Sequence, residues 1–171
     1  MKWLHSLSFK SALLIGLSGI SMHSSFAQQA AGATGAKTEI QWLGQAGFRI
    51  KSPGGQSIVI DPWITGGPKA PAAYKADLSA LGKVDLLLVT HAHVDHIGDA
   101  PALAKMHKTV LYGPADMITP MVTLGIMPAE LTHRFNKTGH VKPLPGIKVT
   151  AVQAEHSSLL VWKNPATEKL E

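Results

Sequence analysis

The stretch Leu86-Leu87-Leu88-Val89-Thr90-His91-Ala92-His93-Val94-Asp95-His96 decides how this chain is read. Its first part is a short continuous apolar run, the pattern of a buried strand. Its second part places three histidines and an aspartate within six positions. In an extended or turning segment, side chains two apart share a side, so His91 and His93 can reach one cation. Neutral imidazole suits zinc, iron, manganese and similar ions. Asp95 and His96 follow as the chain turns, which directs them elsewhere, toward a second metal or its water. Beyond Gly98, Asp99 to His107 reads as a helix. The cluster thus occupies the turn at the carboxyl end of a buried strand, where α/β proteins place their chemistry.

Upstream, Glu39 to Arg49 reads as one strand with a glycine break at Gly44 and Gly47. Ser52-Pro53-Gly54-Gly55 is a turn by composition, and Ser57 to Asp61 a second strand, so the two predict a hairpin. Pro62 closes it, and 64–73 is loop. Asp77 to Leu81 is a short helix, and Val84 to Thr90 the strand that carries the motif. Downstream, Thr109 to Tyr112 is a strand and Asp116 to Leu124 a helix that Pro120 should break. Pro128 to Gly146 is polar and reads as irregular. Ile147 to Ala154 alternates as a strand and delivers Glu155 and His156 at its end. This order predicts a mixed α/β or α+β sheet rather than a helical bundle.

His156 arrives from a distant strand and is placed to complete a three-histidine site with His91 and His93. Three protein ligands leave a coordination position for water, as a catalytic zinc site requires. Asp61, beside Pro62, is either a strand cap or a carboxylate that orients a ligand histidine. His107, His133 and His140 are isolated and read as surface residues, and Trp42, Trp63 and Trp162 as core or rim aromatics. There is no cysteine, so disulfides, thiolate zinc sites and cysteine nucleophiles are excluded.

The first 27 residues read as a secretory signal. Lys2 and Lys10 give a positive start, 11–20 is an apolar stretch too short to span a bilayer comfortably, and Ser25-Phe26-Ala27 supplies small residues for cleavage after Ala27. A flexible leader over 28–38 follows. The expected location is secreted and periplasmic. Without Lys2 and Lys10 the chain has 14 basic residues against 11 acidic. No basic run interleaves with aromatics, so no nucleic-acid partner is expected. The mild positive balance is compatible with an anionic small-molecule or lipid-like substrate.

The H-x-H-x-D-H element at His91, His93, Asp95 and His96 resembles the defining motif of the metallo-β-lactamase-fold hydrolase superfamily. Ile40 to Phe48 (IQWLGQAGF) and Ile58 to Trp63 (IVIDPW) resemble the opening hairpin of one branch. That branch holds the L-ascorbate-6-phosphate lactonase-like proteins and the N-acyl-phosphatidylethanolamine phospholipase D. Ala154-Glu155-His156-Ser157-Ser158 resembles its next ligand segment. The resemblance implies an αββα sandwich with a mixed sheet and helices on one face. It implies one metal on His91, His93 and His156 and a second on Asp95 and His96. Asp95 would also orient the nucleophilic water, and Asp61 would support the ligands. The implied cofactor is two Zn²⁺, with Mn²⁺ or Fe as alternatives.

Members of the superfamily build the fold from two similar halves, and the second supplies a bridging aspartate and a last histidine. Neither is in this sequence. The expectation is therefore an N-terminal half over 39–171, with one apolar sheet face uncovered. The function expected is hydrolysis of an ester, lactone or phosphodiester bond by metal-activated water. The competing readings are β-lactam hydrolysis and non-catalytic metal binding.

Overall fold

The polypeptide between the first strand and the metal-ligand motif doubles back on itself before it enters a parallel arrangement. In a computed structural model, which describes residues 36–171, β1 (Glu39–Gly44) and β2 (Gly47–Lys51) pair antiparallel, with Trp42 opposite Phe48. The single strand expected over Glu39–Arg49 is thus a hairpin. Its tip needs left-handed backbone at Gly44 (φ 101°) and Gln45 (φ 45°). A side chain at Gly44 would also strike the Ala70 backbone, with its Cβ 2.8 Å from the amide nitrogen. The expected signal segment over 1–27, its cleavage after Ala27, and most of the 28–38 leader lie outside the described residues. Among the described residues, no helix is long and apolar enough to cross a membrane.

β3 (Ser57–Ile60) continues antiparallel to β2. β4 (Leu86–Leu88), β5 (Leu111–Gly113) and β6 (Thr132–Arg134) then add in parallel, giving a sheet in the order β1-β2-β3-β4-β5-β6. Parallel neighbours need crossovers, and these carry α1 (Ala72–Ala76), α2 (Val94–Ile97), α3 (Ala100–His107) and α4 (Ala115–Thr123). A 3-10 turn over Leu78–Leu81 stands where the short helix was expected. α4 runs through Pro120 without ending, because Met117, Ile118 and Met121 bury its inner face on both sides of the proline. The fold is mixed α/β, as expected.

One face of the sheet carries the core. Leu43, Val59, Leu87 and Leu111 are fully buried there, in one cluster with Leu103 and Ala104 of α3 and Met117 and Met121 of α4. The register places Trp42, Phe48, Ile60, Leu88 and Tyr112 in one row across the strands on the opposite face. This row is also apolar, and at its β1 end it is open: Ile40 is 68% exposed, Trp42 51% and Phe48 38%. Ile58 and Leu86 on the same face are buried, so the exposed apolar surface of this face is confined to that edge.

The segment expected to be irregular, Pro128 to Gly146, contains β6 and also β7 (His140–Leu144). Neither shows apolar alternation. β6 forms as an edge strand because β5 offers it a ladder, and β7 forms a separate two-stranded sheet with β8 (Ile147–Thr150). The strand expected to run from Ile147 to Ala154 stops at Thr150. His140, the first residue of β7, pairs with Thr150, so no partner strand exists beyond it.

Candidate metal centre

The carboxyl ends of β3 and β4 build the floor of the site. Asp61 donates its backbone N–H to Leu88 and Val89 donates to Tyr112, which fixes the chain just before the motif. His93 then caps α2, so Asp95 and His96 fall on the first helical turn instead of an open loop. His96 does not turn away as the sequence suggested. Its ring centroid lies 4.0 Å from that of His91.

His91, His93 and His156 each direct one ring nitrogen to a common point, with the three atoms within 4.8 Å of one another. His91 Nε2 lies 3.0 Å from His93 Nδ1, and His156 Nε2 lies 3.2 Å from the same Nδ1. A ring nitrogen carries one proton or one lone pair. His93 Nδ1 therefore cannot satisfy both neighbours by hydrogen bonding, whereas a shared cation satisfies all three. An all-imidazole set fits a divalent transition ion such as zinc. Burial holds the His91 imidazole below its ordinary pKa; the neighbouring His96, His93 and His156 rings push the same way, against the opposing Asp61 carboxylate. The favoured neutral ring is the metal-binding form.

Asp61 makes contacts of both kinds that the sequence left open. Its backbone is left-handed (φ 45°) and its side chain is buried. Oδ1 accepts the Thr90 N–H at 2.7 Å, and Oδ2 accepts the Thr90 hydroxyl at 2.8 Å, so it ties β3 to the end of β4. Oδ2 also lies 2.9 Å from His96 Nδ1. A carboxylate only accepts, so Nδ1 carries a proton, and in the neutral ring Nε2 is then the one with a free lone pair. That Nε2 lies 3.7 Å from Asp95 Oδ2. Thr90 relays the same logic to His91. Its one proton goes to Asp61, so its oxygen, 3.0 Å from His91 Nδ1, accepts from that nitrogen and leaves Nε2 for the cluster.

Three residues of the site were not singled out in the sequence. Asp99 is buried and accepts hydrogen bonds from the Ile64 N–H, the Thr65 N–H and the Thr65 hydroxyl, while its own N–H donates to Pro62. An aspartate just ahead of a helix usually signals a cap; here it grips the loop after β3 instead. Ser158 accepts the Ala92 N–H at 3.2 Å, and Ser157 Oγ lies 3.4 Å from His93 Nε2. Nothing in the local pattern marks these serines, since their partners are more than 60 residues away. Trp63 is half-buried and packs over Gly98, where an added Cβ would meet its ring at 2.5 Å. His133 and His140 are exposed, as expected, though both lie in strands. His107 is half-buried with its Nε2 enclosed, and so is not the free surface residue expected.

A family model described as "Beta-lactamase superfamily domain" matches residues 56–169. A protein of Polynucleobacter asymbioticus named UPF0173 metal-dependent hydrolase is 75% identical over 142 residues, which cover 83% of this chain and 50% of that protein. A namesake from Polaromonas is 54% identical over 159 residues, covering 93% of this chain and 56% of its own length. The chain spans about half the length of these curated relatives. Among solved structures, Igni18, described as a metallo hydrolase from Ignicoccus hospitalis, superposes with a TM-score of 0.56 at 27% identity, covering 71% of this chain and 50% of that one. The matched domain, these relatives and the histidine cluster at the sheet edge agree: the chain belongs to the β-lactamase superfamily and carries its metallo-hydrolase fold.

Proposed function

We propose that this chain supplies the metal-holding part of a hydrolase that cleaves an ester, lactone or phosphodiester bond. One observation carries the reading: His91 Nε2, His93 Nδ1 and His156 Nε2 converge within 4.8 Å. The printed name of the relatives, metal-dependent hydrolase, supports it. A divalent ion held there, zinc by its preference for imidazole and with Mn²⁺ or Fe as alternatives, supplies Lewis acidity and makes hydroxide available near neutral pH. His91, His93 and His156 hold the first ion, and Asp95 with His96 Nε2 holds a second. Asp61 keeps His96 in the tautomer that presents Nε2. Asp95, at the rim of the cluster, accepts a hydrogen bond from the attacking water and takes its proton. The apolar stretch and small-residue site in 1–27 support export to the periplasm, and a sequence whose basic residues are scattered rather than interleaved with aromatics favours a small-molecule or lipid-like substrate over nucleic acid.

The test is metal analysis of the purified protein together with hydrolysis of aryl esters, lactones, bis(p-nitrophenyl) phosphate and nitrocefin. Bound metal with turnover of one of the first three supports the proposal. Turnover of nitrocefin alone replaces it with β-lactam hydrolysis. Metal bound without turnover of any of them leaves a binding role, which the chain's half-length span of its relatives also accommodates.

A further inference from the structure

We infer that Ser158 is a positioning residue that holds His156 in register with the His91–His93 pair. This rests on the metal reading above. His156 lies six residues beyond the end of β8, in a segment without regular structure. The segment is anchored before that point, where Thr138 and Gly139 exchange backbone hydrogen bonds with Ala151. It is next anchored at Leu160, which packs against the core. Between these anchors, among the described residues, one hydrogen bond to the rest of the fold involves no histidine ring: Ala92 N–H to Ser158 Oγ at 3.2 Å.

Its donor side explains the choice of residue. Ala92 is 1% exposed and stands between the two motif histidines, where the chain turns out of its ladder. A buried N–H needs a partner, and Ser158 Oγ is the one it has. The bond therefore ties the His156 segment to the backbone midpoint of His91 and His93. The adjacent Ser157 Oγ, 3.4 Å from His93 Nε2, sits on the nitrogen turned away from the cluster. The distance between the third histidine and the first two is then constrained by a side-chain-to-backbone contact that uses no histidine ring atom. Without it, an irregular chain would leave His156 to find the ion at an entropic cost.

Zn²⁺ affinity, measured by competition with a chromophoric chelator, tests this together with the visible spectrum of the Co²⁺-loaded protein. Ser158→Ala is expected to weaken Zn²⁺ binding by about 10-fold or more and to change the Co²⁺ ligand-field bands, while Ser158→Thr, which keeps the hydroxyl, restores both. The same Ser158→Ala change is then made in a His156→Ala background. If Ser158 acts through His156, it has no further effect there. An equal loss in both backgrounds, or an unchanged affinity and spectrum in the single variant, overturns the proposal. A wild-type protein that binds neither ion overturns the metal reading itself, a separate result.

Discussion

The contacts around Asp61 and Thr90 link one buried carboxylate to two histidines of the candidate site. It receives from His96 Nδ1 directly and orders His91 Nδ1 through the Thr90 hydroxyl. Roles at this scale separate by experiment. His91→Ala should lower metal content, measured by atomic emission after dialysis. Asp95→Asn should retain the first metal yet cost on the order of a thousandfold in turnover, several kcal/mol of barrier. Full activity in that variant would remove Asp95 from proton transfer. The pH dependence follows from His91, whose folded pKa is depressed mainly by burial. Below the ordinary histidine value of about 6.5, the unfolded chain gains a proton that the folded chain resists. Unfolding then takes up protons, so stability rises with pH in that range. The contribution is present above the unfolded pKa and is lost as pH falls toward the folded one. Urea titrations of the metal-free protein should therefore give a lower midpoint in mild acid than at neutral pH, and His91→Gln should flatten that slope.

At the scale of elements, the site is a junction of two strand ends and a loop, fastened in both directions. From β3, Asp61 reaches forward to Thr90 and His96; from the start of α3, Asp99 reaches back to Ile64 and Thr65. Asp99→Ala would leave the Ile64 N–H buried without a partner and also remove a charge-assisted hydrogen bond. We expect a loss of about 2–4 kcal/mol in equilibrium unfolding. A result within about 0.5 kcal/mol of wild type would mean that the loop after β3 is held by packing alone. The motif itself, the buried strand before it and the helix after it were legible, because short apolar runs and ligand spacing are local signals. β6 and β7 were not, since both are polar and exist through their partner strands. The end of β8 was missed for the same reason: alternation continues to Ala154, but the ladder does not.

At the scale of the whole molecule, a sheet apolar on both faces has helices over one of them. The row from Trp42 and Phe48 through Ile60 to Tyr112 lies on the face opposite the helices, and it is exposed at the β1 end. The 171-residue chain should consequently bind a hydrophobic dye and associate as its concentration rises, as large open apolar patches do. Replacing Ile40 and Trp42 with polar residues should reduce both, read by dye fluorescence and sedimentation velocity. Unchanged dye binding would locate the exposed apolar surface elsewhere, for instance at Val152, Leu159 and Val161.

By itself the sequence determined the chemistry of the site and the class of the fold. The spacing of the candidate ligands His91, His93, Asp95 and His96 is carried by neighbouring residues, and the periodicity of buried strands is a property of a few consecutive side chains. Only the tertiary structure decided the rest. It selected which ring nitrogens come together, set the His96 ring against that of His91, gave Asp61 its contacts to Thr90 and His96, and brought Asp99 and Ser158 to the motif. Those outcomes depend on contacts between segments up to 66 residues apart. Such contacts follow from strand order and crossover direction, which no local pattern encodes.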